Sequence, residues 1–299
     1  MRSLTVLDTG PRSLLQDLGR PGRASIGVGL SGAFDRTALA LANRLVGNDE
    51  GFTGIEAVLG GLRLKAGTTL TLAVTGASGP IRLDCSTGSS IADRQAPLVL
   101  ETGDVIAISM PIHGLRSYIA VRGGIQALAV LGSSSHDELS GLGPAPLSPG
   151  EVLLVGHEPT TTMHVDHVPW RASSRVLEAI PGPHHHGSGV FLLGPEAFDV
   201  LESGPYAVEP SSNRIGVRLT GPTLPRLPGE LASAPMRPGS IQVPGSGQPV
   251  ILGPDAPTTG GFPVVATLTP SSLDDIAQAR PGDLVRFRIL RSRTLGSSL

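Results

Sequence analysis

The chain has 299 residues, a formal net charge of −2, 40 glycines, 27 prolines and 3% aromatic residues, and its length exceeds one average core of roughly 150 residues, which predicts two domains. Basic residues scattered from Arg2 to Arg293, without a stripe or an aromatic platform, exclude a nucleic-acid surface, and no run approaches the roughly 18 apolar residues that spanning a bilayer requires. The lone Cys85 excludes an internal disulfide, and Asp8 and Arg12 precede any apolar stretch long enough for a signal sequence, which points to the cytoplasm.

Glycine and proline punctuate the chain too often for long helices, so many short strands joined by tight turns are expected. The first polar cluster lies in Leu15-Gln-Asp-Leu-Gly-Arg-Pro-Gly22. Its Gln16, Asp17 and Arg20 form a candidate site: Arg20 is placed either to grip a carboxylate or phosphate bidentately or to pair with Asp17 and hold the turn. Gly27-Val-Gly-Leu-Ser-Gly32 matches Gly-x-Gly-x-x-Gly ahead of a helix, but no strand precedes it, so a dinucleotide-binding turn is disfavoured. A helix is predicted over 33–46, capped by Ser31 or Asp35 and stopped by Gly47-Asn48. Lys65, the only lysine, follows Leu64, so the chain has no Gly-x-x-x-x-Gly-Lys phosphate loop.

Short strands are predicted over 69–74, 97–100, 105–109, 117–121 and 152–155, in the manner of a β-meander. Thr102-Gly-Asp-Val, Pro149-Gly-Glu-Val and Pro281-Gly-Asp-Leu repeat one turn formula, each expected to open a barrel strand. Cys85 reads as a small buried hydrophobe more readily than as a nucleophile. Residues 158–174 lack apolar periodicity and mark the expected boundary between an N-terminal β-rich domain, 1–160, and a C-terminal domain, 175–292. Six of the eight histidines fall between His157 and His186, but consecutive residues of an extended chain face opposite sides, so a solvated loop is favoured and no metal site is assigned.

The alternation in Ser212-Asn-Arg-Ile-Gly-Val-Arg-Leu219 predicts a strand with Arg214 and Arg218 on one face. Beyond it, the apolar run Val250-Ile-Leu252 is bracketed between Gly239 and Pro263 by Gln242, Gln248, Asp255, Thr258 and Thr259, polar groups that either satisfy one another or are held open for a ligand. A second helix is predicted over 271–279, with Asp274 and Asp275 in its first turn, and residues 293–299 read as a flexible tail.

Taken in order, Gln16-Asp-Leu-Gly-Arg-Pro-Gly22, Ser31-Gly-Ala-Phe-Asp35, Ala42-Asn-Arg-Leu-Val-Gly-Asn48, Arg122-Gly-Gly124, Leu131-Gly-Ser133, Asn213-Arg-Ile-Gly-Val-Arg-Leu219, Gly239-Ser-Ile-Gln-Val-Pro244, Gly247-Gln-Pro249 and Thr258-Thr-Gly-Gly-Phe-Pro263 resemble the family of allophanate hydrolase subunit 2, the biotin-dependent carboxyltransferase family. This family includes the C subunit of 5-oxoprolinase and the antagonist of the Kip sporulation-kinase inhibitor. The resemblance runs nearly end to end. It implies a mainly β protein of cyclophilin-like β-barrel architecture, with two β-rich domains and a few short helices. It implies a sister subunit resembling allophanate hydrolase subunit 1 (Kip inhibitor-like) and a third 5-oxoprolinase subunit, together hydrolysing 5-oxoproline to L-glutamate with ATP. Carried onto the matching motifs, Arg214, Gln242, Gln248, Gly260 and Gly261 are the expected substrate contacts, and Asp255, Thr258 and Thr259 the expected catalytic groups. Gly245-Ser-Gly247, Ala256-Pro257 and Phe262 depart from the family's usual pattern and remove hydrogen-bonding groups nearby. Two alternatives remain open: a carboxyltransferase component of a biotin-dependent urea or allophanate system, with biotin carried elsewhere because Lys65 lacks a Met-Lys-Met setting, and a non-catalytic regulatory partner.

Overall fold

A computed structural model describes residues 1–163, 167–184, 192–229 and 231–291. The fold is mainly β, with three α-helices among the described residues. The chain divides into two compact units, the first comprising Met1–Ser173 with Ala277–Arg280, the second comprising Ser174–Ile276 with the residues from Pro281 on.

The first unit holds two sheets. A six-stranded sheet runs in the order Val152–Leu154, Ser3–Thr9, Leu62–Ala66, Val105–Ile108, Ile81–Cys85, Gly88–Ala92. A five-stranded sheet runs in the order Arg12–Gln16, Gly54–Val58, His113–Val121, Leu70–Ser78, Pro97–Leu100. One apolar cluster draws on both, with Leu4, Val6, Leu62, Leu64 and Ile106 from the first sheet and Leu15, Ile55, Leu72, Val74 and Ile119 from the second. The pattern of Leu62-Arg-Leu-Lys-Ala66 shows why: Leu62, Leu64 and Ala66 are buried while Arg63 and Lys65 face solvent, the period of two that one buried face demands. Burying each such leucine contributes about 1.5–3 kcal/mol.

Helix α1, Arg36–Leu45, covers the other face of the five-stranded sheet through Ala42, Leu45 and Val46 against Ala73 and Ala120, and through Ala38 and Leu39 beside Tyr118. Of the two expected caps, Asp35 serves: its carboxylate accepts the Ala38 amide at 2.9 Å.

The second unit is built on a closed seven-stranded barrel, in the order Val176–Pro181, Val264–Leu268, Ser240–Gln242, Val250–Leu252, Gly216–Thr220, Tyr206–Val208, Leu284–Ile289. Closure removes free sheet edges, and Tyr206 packs edge-on against Phe287 at 5.5 Å between ring centres. Helices α2, Ala197–Ser203, and α3, Pro270–Ala277, and a two-stranded pair, Ala234–Pro235 with Thr259–Gly260, stand beside the barrel strands in the sequence. The repeated turn formula opens a strand at all three positions, but only Pro281-Gly-Asp-Leu leads into the barrel. Thr102-Gly-Asp-Val and Pro149-Gly-Glu-Val open Val105–Ile108 and Val152–Leu154 of the six-stranded sheet instead. The formula specifies a tight turn and carries no information about the sheet beyond it.

Candidate functional site

The sequence-derived residues of the barrel unit do not converge as drawn. Strand Gly216–Thr220 begins two residues after Arg214, because the Asn213 side chain accepts the amides of Ile215 and Gly216 at 2.9 and 3.0 Å and turns the chain there. Arg214 consequently points inward, 3% exposed, while Arg218 faces solvent, so the two arginines do not share a face. The Arg214 guanidinium grips fully buried Asp255 through Nε to Oδ2 at 2.8 Å and Nη2 to Oδ1 at 3.0 Å, a bidentate pair. Gln248 clasps the turn at Gly221: its Oε1 accepts the Gly221 amide at 2.8 Å, and its Nε2 donates to the Gly221 carbonyl and Thr223 Oγ1, both at 3.2 Å. Gln242, nearly buried, donates to Met236 Sδ and lies against Gly260, where a Cβ would come within 3.0 Å of its Nε2. Thr259–Gly260 pairs with Ala234–Pro235, which holds Thr259 and Gly261 at the surface and Thr258 half-buried.

In the first unit, Gln16, Asp17 and Arg20 do come together, but Asp17 and Arg20 each bond to other groups rather than to one another. Asp17 Oδ1 accepts the hydroxyls of Ser133 and Ser135, both at 2.6 Å, and Oδ2 accepts the Ser134 amide at 2.7 Å. Arg20, 1% exposed, donates to Ser31 Oγ at 2.7 Å and to the carbonyls of Ser135 and Val130 at 2.6 and 3.3 Å. Ser31 passes the interaction on to Asp137 Oδ2 at 2.5 Å. Gln16 Nε2 donates to the His136 carbonyl at 3.0 Å, and its Oε1 is buried without a partner. The cluster locks the segment 130–137 onto the sheet, and Arg20 spends its guanidinium on that task.

Burial raises the Asp137 carboxyl, but hydrogen bonds from Ser31 and from the amides of Ser140 and Leu139 outweigh it and leave the group below its usual value of 3.8. A carboxyl depressed in the folded state adds stability that is present above its unfolded pKa and lost as pH falls through the folded one. Acid titration of the unfolding free energy below about pH 4 is expected to fall more steeply in the native chain than in Asp137→Asn; identical slopes would exclude this role.

A third cluster, which sequence reasoning missed apart from Asp35 in its motif, lies between α1 and the five-stranded sheet. Glu56, fully buried, accepts the Phe34 amide at 3.0 Å and the Tyr118 hydroxyl at 2.8 Å through Oε2, with Arg116 Nε 3.4 Å from Oε1. The Tyr118 oxygen in turn accepts the Asp35 amide at 2.8 Å. Burial, with the charges of Glu56 and Asp35, holds the Tyr118 phenol well above its ordinary value of 10, so it stays a donor. Arg116 also stacks over the Phe34 ring at 4.6 Å. Gln278 completes the cluster by donating to Asp35 Oδ2 at 2.7 Å. The signal was present: an acid inside the apolar run Gly54-Ile-Glu-Ala-Val58 and an arginine before the apolar stretch Tyr118-Ile-Ala-Val121 must find partners when those strands are buried.

Elsewhere, Cys85 is half-buried and its thiol is pushed up, first by burial and then by Asp104 and Asp84, which disfavours a thiolate. Of the histidine-rich stretch, His164, His185 and His186 lie outside the described residues, while His184 is buried, with Nδ1 accepting the Val264 amide at 3.1 Å. Among the described residues no helix is long and apolar enough to cross a membrane.

The carboxyltransferase domain model, covering subdomains A and B, matches residues 26–289. The chain is 34% identical to the 5-oxoprolinase C subunit of Escherichia coli over 95% of its own length and 90% of that protein. It is 31% identical to urea amidolyase of Saccharomyces cerevisiae over 93% of its own length but 16% of that enzyme. Among solved structures, TTHA0988 superposes with a TM-score of 0.85 at 32% identity, over 96% of this chain and 55% of that one. The chain thus spans about half of TTHA0988.

Proposed function

Because the chain belongs to the carboxyltransferase family of subdomains A and B, we propose that it is a cytoplasmic subunit of an ATP-dependent 5-oxoprolinase that opens 5-oxoproline to L-glutamate. The observation that carries this choice is the end-to-end correspondence with the C subunit of a bacterial 5-oxoprolinase, whose whole length the chain nearly fills. The urea-acting relatives correspond to it only as one segment of a much longer enzyme. The barrel is read as cyclophilin-like. Its partners are a sister subunit resembling allophanate hydrolase subunit 1 and a third 5-oxoprolinase subunit.

ATP is assigned to those partners, since Lys65, the only lysine, stands exposed on a regular strand rather than in a glycine loop. In the barrel, Gln242, Gly260 and Gly261 with Thr258 and Thr259 line the proposed lactam contact, where amide and hydroxyl groups match a small polar ring. Arg214 and Asp255, closed on each other and buried, hold the end of a barrel strand pair and do not meet the substrate themselves. Gln248 shapes the neighbouring turn. Gln16, Asp17 and Arg20 hold the first unit's loop in position.

Substrate choice distinguishes this reading from a biotin-dependent urea carboxyltransferase. The purified assembly is expected to consume ATP with 5-oxoproline and not with urea, bicarbonate and a biotinylated carrier; the reverse preference would replace the proposal with the carboxyltransferase reading.

A further inference from the structure

Arg226 stands apart from the other arginines. Among the described residues, every other arginine that is buried or half-buried donates to a carbonyl, hydroxyl or carboxylate, from Arg2 at the Gly156 carbonyl to Arg280 at the Gly114 carbonyl. The arginines that have no such partner, Arg218 and Arg237 among them, are exposed. Arg226 alone is half-buried with no hydrogen-bond or acid partner for its side chain among the described residues. Withdrawing a guanidinium from water without a counter-charge is unfavourable, so a cation held in this way calls for an anion from outside the chain.

Its place is set by the turn that follows strand Ser240–Gln242. The Leu224 amide donates to the Gly247 carbonyl at 3.0 Å, and Gln248 clasps Gly221 and Thr223, which fastens the segment 221–226 to the turn 244–248. Backbone pairing with Leu193 holds Arg226 itself. Its Nη1 lies 3.6 Å from where a Cβ on Gly245 would stand, so the turn brings no side chain against the guanidinium at that point. Gly245 is three residues beyond Gln242, a reach of at most about 10 Å. From the same strand end, the Val243 amide donates to the Pro263 carbonyl at 2.9 Å, and a Cβ on Gly260 would come within 3.0 Å of Gln242 Nε2. Arg226 and the segment 258–261 therefore both adjoin the chain between Gln242 and Gly245.

5-Oxoproline carries a carboxylate on the ring carbon next to its nitrogen. The proposed lactam contact supplies amide, hydroxyl and backbone groups but no cation, because Arg214 is closed on Asp255. We propose that Arg226 is the residue that selects the substrate's carboxylate, through a fork of N–H donors that fits its two oxygens. The inference rests on the oxoprolinase reading for the ligand, a small lactam acid, and on the unpaired guanidinium for the charge that is recognised.

The test uses the reconstituted assembly carrying Arg226→Gln or Arg226→Lys, with binding of 5-oxoproline and of its neutral carboxamide, 5-oxoprolinamide, followed by ligand-observed NMR. Arg226→Gln is expected to weaken 5-oxoproline about 10- to 100-fold, the loss of a charge-assisted pair, and to leave the carboxamide within about twofold. Arg226→Lys keeps the charge without the fork and is expected to recover part of the loss. In turnover the same factor is expected in KM, with kcat little changed. The Tm of Arg226→Gln is expected to stay within about 2 °C of wild type, since no internal partner is lost. Equal weakening of both ligands would show a structural role and overturn the inference, as would a wild-type assembly that does not prefer the carboxylate to the carboxamide. Glutamate release by a variant that keeps its full affinity for 5-oxoproline rejects Arg226 and leaves the oxoprolinase assignment standing. A carboxylate preference that disappears in Arg226→Gln, in an assembly that releases no glutamate, rejects the assignment and leaves Arg226 standing.

Discussion

Replacing Arg214 with alanine is expected to destabilise the barrel unit by about 3–5 kcal/mol, the loss that follows when one partner of a buried ion pair is removed and the other stays behind uncompensated. Asp255 has no exposed surface, and its two carboxylate oxygens each meet a nitrogen of Arg214 at 3.0 Å or less. Without the guanidinium that charge has to be protonated or solvated at the expense of the fold. The pair also ties together two stretches on either side of strands Gly216–Thr220 and Val250–Leu252, since the Asp255 amide donates to the Arg214 carbonyl at 3.2 Å. Loss of the side chains therefore loosens the end of a strand pair. The check is a double-mutant cycle by urea denaturation of Arg214→Ala, Asp255→Ala and the double variant. Strong coupling, with the double variant less harmed than the sum of the singles, is expected. Additive effects would show that the two side chains act independently and would remove the account of Arg214 given above.

The second large effect is expected at Glu56. Glu56→Ala removes the acceptor for the Phe34 amide and the Tyr118 hydroxyl and leaves the Arg116 guanidinium, itself only 6% exposed, facing an empty carboxylate position. Two buried donors lose their partner and a buried cation loses its counter-charge, which together cost about 3–5 kcal/mol. Tyr118→Phe removes a single hydroxyl from the same network and is expected to cost about 1–2 kcal/mol, since the Asp35 amide and Glu56 then each lose one bond. The order of the two variants is the diagnostic. A Tyr118→Phe loss as large as that of Glu56→Ala would mean that the phenol, not the carboxylate, organises the cluster.

Much of the architecture could be read in the sequence, because turns and alternation act locally. Strand Pro97–Leu100 and the cores of four others follow from apolar runs set between glycine turns, and α1 follows from its periodicity and its Asp35 cap. Helix Ala197–Ser203 escaped because it is only seven residues long, with glycines close by at both ends and no side-chain cap at its start. The site was harder to read for a reason rooted in one residue. Asn213 folds its side chain over the next two amides, and this shifts the strand start past Arg214, so a face assigned by alternation comes out inverted. The Glu56, Tyr118 and Arg116 cluster depends on the pairing of two strands far apart in sequence, Gly54–Val58 and His113–Val121. Composition can show that such buried charges need partners, but the partners come only with the fold. Arg20 teaches a related point: an arginine in a glycine-rich turn has the chemistry for anion binding, and here Ser31 and two backbone carbonyls take it up instead.

The proposed place of this chain as one subunit of an oxoprolinase is tested by an omission series on the reconstituted assembly, following L-glutamate released from 5-oxoproline. Release is expected only when this chain, its sister subunit, the third subunit and ATP are all present. It should disappear when this chain alone is left out. Undiminished release without this chain, or no release from the complete set although a stable complex forms, would contradict the account.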